Sequence, residues 1–174
     1  SNQLIGSNIQ YNGKQFEIGL TGVYNFFNKV LNPTDRTYNK YYPRGKDFFN
    51  IGVNYQFFWK RFTFLGETAL DKQGRIATMN MLRYSPKGSF QLVVMNRFYD
   101  VAYQSMYANS IGEGSSVQNE SGFYIGLETN ILRYFKLNAY GDFFYFPWKK
   151  YQVSKNGTHG FDGVFQLSFS PRYE

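Results

Sequence analysis

Apolar and polar residues alternate with a period of two along most of this chain. In residues 15–27, Phe16, Ile18, Leu20, Tyr24 and Phe26 share one side, and Gln15, Glu17, Thr21 and Asn25 the other. In 47–58, Phe49, Ile51, Val53, Tyr55 and Phe57 oppose Asn50, Gly52, Asn54 and Gln56. In 119–130, Phe123, Ile125 and Leu127 oppose Tyr124, Gly126 and Glu128. Leu137, Ala139, Phe143 and Tyr145 oppose Lys136, Asn138 and Asp142, and Phe161, Phe165, Leu167 and Phe169 oppose Asp162, Gln166, Ser168 and Ser170. Successive side chains of a strand point to opposite faces, so the pattern predicts strands with one greasy and one wet face. Candidate strands lie near 3–11, 15–27, 47–58, 62–71, 75–85, 89–99, 119–130, 135–146 and 160–170.

Several of these reach the 9–11 residues that a tilted strand needs to cross a bilayer. The connections alternate in length. Those at 12–14, 59–61, 86–88 and 132–135 are short; those at 28–46, 100–118 and 147–159 are long, and 71–74 is a short exception on the long side. Up-and-down transmembrane barrels show this asymmetry. Aromatic residues crowd the strand ends in "YNFF" (24–27), "YQFFW" (55–59) and "FFYFPW" (143–148), as in the girdles of such barrels. Hydrocarbon offers no partner to an unpaired sheet edge, so a spanning sheet must close. The fold expected is therefore all-β: an antiparallel up-and-down transmembrane β-barrel, one domain over 1–174, present as about eight to nine strands of a larger barrel. The last stretch, "FSPRYE" (169–174), repeats the Ser-Pro and basic residue of the short turn "YSPKG" (84–88). It reads as a short turn with a further strand to follow.

Composition sharpens the picture. Phe, Tyr and Trp make up 21% of the chain, yet mean hydropathy is −0.47, so the apolar residues are interleaved rather than massed into a membrane helix. Cysteine is absent, which excludes disulfides and thiolate metal sites. The net charge of +7 is scattered through loops and forms no basic recognition helix, so it predicts a solvated rim, with lipopolysaccharide phosphates as a candidate contact and no direct nucleic-acid site.

Face assignment turns Glu17, Glu67, Arg83, Arg97, Glu128, Asp142 and Asp162 inward. Charges removed from water need partners, and these predict a lumen ion network or a charged constriction. Leu65, Met79, Met81, Val93 and Met95 also turn inward. Water is a poor neighbour for such a patch, which predicts an inserted loop, plug or partner against it. In the loop 32–49, Tyr38, Tyr41, Tyr42, Arg44 and Lys46 could stack on and attract a surface ligand; the alternative is a self-packed loop over the barrel mouth. Catalytic candidates are few. His159, read as a loop residue beside Ser154, has no fixed partner, and no catalytic, cofactor or metal site is predicted. Glu113 and Glu120 with Asn119 are the one carboxylate group considered for Ca²⁺, with a solvated loop as the preferred reading.

Four stretches resemble a known family: "YYPRGKDFFN" (41–50), "GETALDKQGRIATMNMLRYSP" (66–86), "NRFYDVAYQSMYANSIGEGSSVQNESGFYIGLE" (96–128) and "DFFYFPWKKYQV" (142–153). They are similar to the β-barrel region of Bacteroidota outer-membrane proteins that carry a separate ComEA-like helix-hairpin-helix segment. The resemblance implies a barrel in the outer membrane of a Gram-negative bacterium, and it transfers no DNA-binding residue to this segment. The expected function is a non-enzymatic, porin-like outer-membrane barrel serving as a channel, transport component or scaffold. Its expected partners are outer-membrane lipid, other outer-membrane proteins or missing strands of the same barrel. The alternatives are a soluble β-barrel holding an apolar small molecule and, by the family label, a barrel for DNA uptake.

Overall fold

The computed structural model describes residues 1–86 and 88–171. Nine strands are formed: β1 (Asn2–Asn12), β2 (Phe16–Leu31), β3 (Gly45–Trp59), β4 (Phe62–Asp71), β5 (Ile76–Tyr84), β6 (Gln91–Tyr99), β7 (Glu120–Leu132), β8 (Phe135–Phe146) and β9 (Thr158–Phe169). They make one antiparallel sheet whose spatial order follows the chain, β1 to β9. A 3₁₀ turn at Thr37–Asn39 interrupts the first long loop. The bounds follow the period-two pattern closely. β2 departs most, running on to Leu31 through a register shift after Phe26.

The sheet is open. β1 and β9 do not pair with each other, so closure of these nine strands into a barrel is not what the chain adopts. Each edge strand leaves a row of backbone N–H and C=O groups without a partner in the sheet. Lys87 and Arg172, the basic residues in the expected repeat of short turns, lie outside the described residues. Among those residues no helix is long and apolar enough to cross a membrane, which says nothing of strands.

Register fixes the two faces. Phe16, Phe57 and Phe64 lie side by side across β2, β3 and β4, and Leu20, Val53 and Thr68 form a parallel row. This outer face is apolar and open: Ile9 is 73% and Phe165 75% exposed. Four of its polar groups, on β3 to β5, bond to one another. The Tyr55 hydroxyl donates to Asn80 Oδ1 (2.5 Å), Asn80 Nδ2 to Thr78 Oγ1 (3.2 Å), and Thr78 meets Thr68 Oγ1 at 2.8 Å.

The short-turn end carries a belt of rings. Tyr11 meets Phe16, Phe16 stacks on Phe57 and Phe57 on Phe64, while Trp59, Phe62 and Tyr84 stack in a second row. Phe135 and Tyr134 meet Phe169 farther round. Lys60 lies over the Trp59 ring and Arg133 over Tyr134, their charged heads beside the turns.

The inner face is where side chains are buried. Thr63, Ala77, Met95, Arg97, Tyr99, Glu120 and Asp142 all lie there, and strands β5 to β9 together line a cavity of about 590 Å³.

Candidate functional site: a clamped loop on the inner face

Alternation and register put all seven predicted inward charges on the inner face: Glu67 opposes Met79, Met79 opposes Arg97, and Asp142 lies between Tyr124 and Asp162. They do not form one network. Among the seven, only Arg97 and Asp142 join directly. Glu128 pairs with Lys136 at 2.7 Å, Arg83 donates to Thr63 Oγ1 at 3.4 Å, and Asp162 accepts from the Tyr140 hydroxyl at 3.2 Å. Glu17 and Glu67 take no ion-pair partner among the described residues. The physical reason is spacing: partners must lie on adjacent strands at neighbouring registers, and most of these charges do not.

Arg97 is the exception. Its side chain is fully buried, and burying a guanidinium is unfavourable unless carboxylates surround it. Nε donates to Glu120 Oε1 at 2.6 Å and Nη1 to Asp142 Oδ1 at 2.9 Å. The planar fork of arginine suits two acceptors at once. The guanidinium lies across Gly122 on β7, where any Cβ would collide with it. A strand glycine here marks the close approach of a neighbouring side chain.

Glu120 was not among the predicted inward charges, yet it is the second half of the clamp. It starts β7 opposite Tyr99, two residues from Arg97 on β6. Its carboxylate also accepts the backbone N–H groups of Glu113 (3.0 and 3.1 Å) and Gly114 (2.9 Å). It therefore ties residues 100–119, the longest loop, to the sheet. All its oxygens are engaged by these donors, and Asn119 turns away to Trp148, so the Ca²⁺ reading of Glu113, Glu120 and Asn119 has no geometric support. Among the described residues no cluster of three or more His, Cys, Asp or Glu could hold a metal.

The same loop folds back over the inner face. The Tyr99 hydroxyl lies 2.6 Å from Ser110 Oγ and donates to the Ile111 carbonyl at 2.7 Å. Ser110 reaches Met79 Sδ at 3.8 Å. Ile111 lines the 590 Å³ cavity with Met81, Val93 and Met95, and Leu65 opposes Met81 on β4. The apolar inner patch thus meets protein over part of its surface and a cavity over the rest.

At the loop end, Asp71 gathers backbone donors: Gln73 and Arg75 at 2.9 and 3.0 Å on Oδ1, and Gln104 at 3.0 Å on Oδ2. Beside it Tyr103, in the loop, is buried with Ala77 and Tyr99. Burial pushes its phenol up to about 12, Asn50 pulling the other way and the Asp71 charge adding to the rise. A raised pKa gives stability that is complete below about pH 10 and lost as pH climbs towards 12, because the unfolded phenol ionises first. The stability difference between wild type and Tyr103→Phe should therefore fall by about 2 kcal/mol between pH 10 and 12. Unfolding curves across that range check it; a flat difference contradicts it.

The predicted surface residues separate. Tyr38 packs on Tyr42 and Tyr151, and Tyr41 on Trp148. Arg44 is committed inside its own loop, to Asn32 Oδ1, the Pro33 carbonyl and Asp35. Lys46 stands apart, exposed on β3. His159 is not a loop residue: it lies on β9 opposite Tyr145, whose ring it stacks against at 4.6 Å. Comparison with family models, curated proteins and solved structures finds no match.

Proposed function

We propose that this chain is a sector of a non-enzymatic β-barrel in a bacterial outer membrane, acting as a transport conduit narrowed by the clamped loop 100–119. The observation that carries the proposal is the outer face: large apolar side chains stand open on it, while the buried charges, together with a smaller apolar set, lie inside. Soluble sheets hide their apolar face. The hydrogen bonds that link Tyr55, Asn80, Thr78 and Thr68 on the outer face suit a medium with no donors or acceptors. The ring belt with flanking Lys60 and Arg133 suits a headgroup layer. In hydrocarbon the open edges of β1 and β9 would need strands to pair with, which is why the reading is a sector of a barrel.

The cysteine-free sequence makes a clean test by single-cysteine labelling. On whole cells, a membrane-impermeant maleimide should label Ser115→Cys in the long loop and leave Val53→Cys on the outer face unlabelled. Val53→Cys should react with a lipid-soluble probe instead. Equal labelling of both positions by the impermeant reagent would overturn the membrane placement. Conductance through planar bilayers by the full-length protein checks the conduit.

A further inference from the structure

Three loops meet at the long-loop end around Trp148. Its indole N–H donates to the Thr37 carbonyl at 2.8 Å, and its backbone exchanges hydrogen bonds of 2.7 and 3.1 Å with Asn119. Loops 32–44, 100–119 and 147–157 are thereby held in one cluster. Between them lies a cavity of about 150 Å³ whose walls include Tyr38, Tyr41, Trp148, Lys149, Lys150 and Gln118. Trp148 also lines an adjoining groove with Arg36, Thr37, Lys40 and Asp35. Lys40 Nζ sits 5.3 Å from the centres of both the Tyr41 and Trp148 rings.

We propose that this loop cluster is a binding site for a negatively charged saccharide. Charge sets the sign. Lys149 and Lys150 line the cavity, the Lys150 ammonium lying 4.2 Å from the Phe146 ring centre, and Lys40 and Arg36 line the groove; the one acid there, Asp35, is paired with Arg44 at 2.7 Å. Ring chemistry sets the class. Aromatic side chains offer an apolar surface with a polar edge, which suits the C–H faces of a sugar. Ser115, Ser116 and Gln118 on the opposite wall offer donors and acceptors to its hydroxyls. The hydrogen bonds that knit the cluster run through Asn39, Arg44, Asn119 and Trp148, and the hydroxyls of Tyr38, Tyr41, Tyr42 and Tyr151 carry none of them. Size agrees: the cavity falls below the roughly 300–1,000 Å³ of drug-sized pockets, so it takes one ring while the groove takes the next. Single-stranded nucleic acid fits less well. Successive bases need open parallel ring faces, and the rings here meet at 76–80°.

The chemistry is shared by two sources, a free acidic polysaccharide and the phosphorylated sugar core of lipopolysaccharide. The full-length protein in detergent is titrated with oligogalacturonate, with phosphorylated core oligosaccharide, with neutral dextran oligomers and with oligo-dT. Saturable binding of either acidic sugar, at least tenfold tighter than dextran, is expected. Preference between the two acidic sugars identifies the source. The double variant Lys40→Gln, Lys149→Gln should weaken binding at least tenfold while lowering the unfolding temperature by no more than the loss of the Lys40 ring contacts requires, and Trp148→Ala should abolish it. Binding untouched by the double variant, no saturable binding of either acidic sugar, or oligo-dT binding ahead of both would overturn the site. If Ser115→Cys still labels on intact cells while acidic sugars fail to bind, the failure belongs to this inference and not to the membrane placement.

Discussion

Replacing Arg97 with alanine is expected to cost the fold about 3–5 kcal/mol, the usual effect of breaking a buried ion pair from one side. The argument is local. Removal of the guanidinium leaves Glu120 and Asp142 buried without their cation. It also opens a void over Gly122, the residue whose missing side chain gives the guanidinium its room. Glu120 then has its two loop N–H donors as its remaining described hydrogen-bond partners, and the anchor of residues 100–119 loosens. Two measurements separate cause from consequence. Unfolding temperature reports the energetic loss. Cleavage by a glutamate-specific protease after Glu113 reports release of the loop. Lysine at 97 keeps the charge but not the fork, so Arg97→Lys should fall between alanine and wild type. Glu120→Gln turns an amide donor towards the Glu113 and Gly114 N–H groups and should release the loop with a smaller loss of stability. An Arg97→Ala protein that melts with the wild type and keeps Glu113 protected would refute the clamp.

The second large effect concerns neighbouring residues on opposite faces. On the proposed membrane placement, Val53→Lys, in the middle of the outer face, should destabilise the protein in bilayers by about 2–4 kcal/mol, the cost of a lysine near the midplane of a barrel. Asn54→Lys points inward, opposite Glu67, and should change stability by less than about 1 kcal/mol, in the favourable direction. Urea unfolding in lipid vesicles compares the two. A soluble sheet predicts the reverse order, because Val53 would then face water. A near-neutral Val53→Lys in vesicles would remove the membrane reading with a single substitution.

Most of the sheet was legible because the signal is repeated. Phe49, Ile51, Val53, Tyr55 and Phe57 specify their face five times over, and a slip of one residue would turn all of them inward. The same redundancy placed the inner patch of Met79, Met81, Val93 and Met95. Information carried by one residue was harder to read. Glu120 falls within the candidate strand 119–130 and shares the parity of Tyr124, Gly126 and Glu128, so its inward face was legible; alternation fixes a face and not a register, so it does not tie Glu120 to Arg97, two residues from its register partner. Gly122 was a second signal: a glycine in mid-alternation, beside a strand bearing a predicted inward arginine. His159 sits where β9 begins two residues earlier than its apolar row suggests, since Thr158 and Gly160 carry no face information. Tyr41 and Trp148 are far apart in the chain and meet through loops, where side-chain periodicity gives no guide. Edge closure was the least accessible, because alternation specifies faces and is silent about what lies beside β1 or β9.

The sheet's neighbour-to-neighbour order has a kinetic consequence. Each strand pairs with the strands next to it in the chain, so every hairpin can form as soon as its own two arms are made. Contacts of this kind carry small closure entropies. The costliest closure is β6 onto β7, across residues 100–119. That is also the junction bridged by Arg97 and Glu120. The clamp therefore sits at the bottleneck of assembly: it rewards the one pairing that chain proximity does least to promote, and its loss should slow refolding more than an equal loss of stability elsewhere in the sheet.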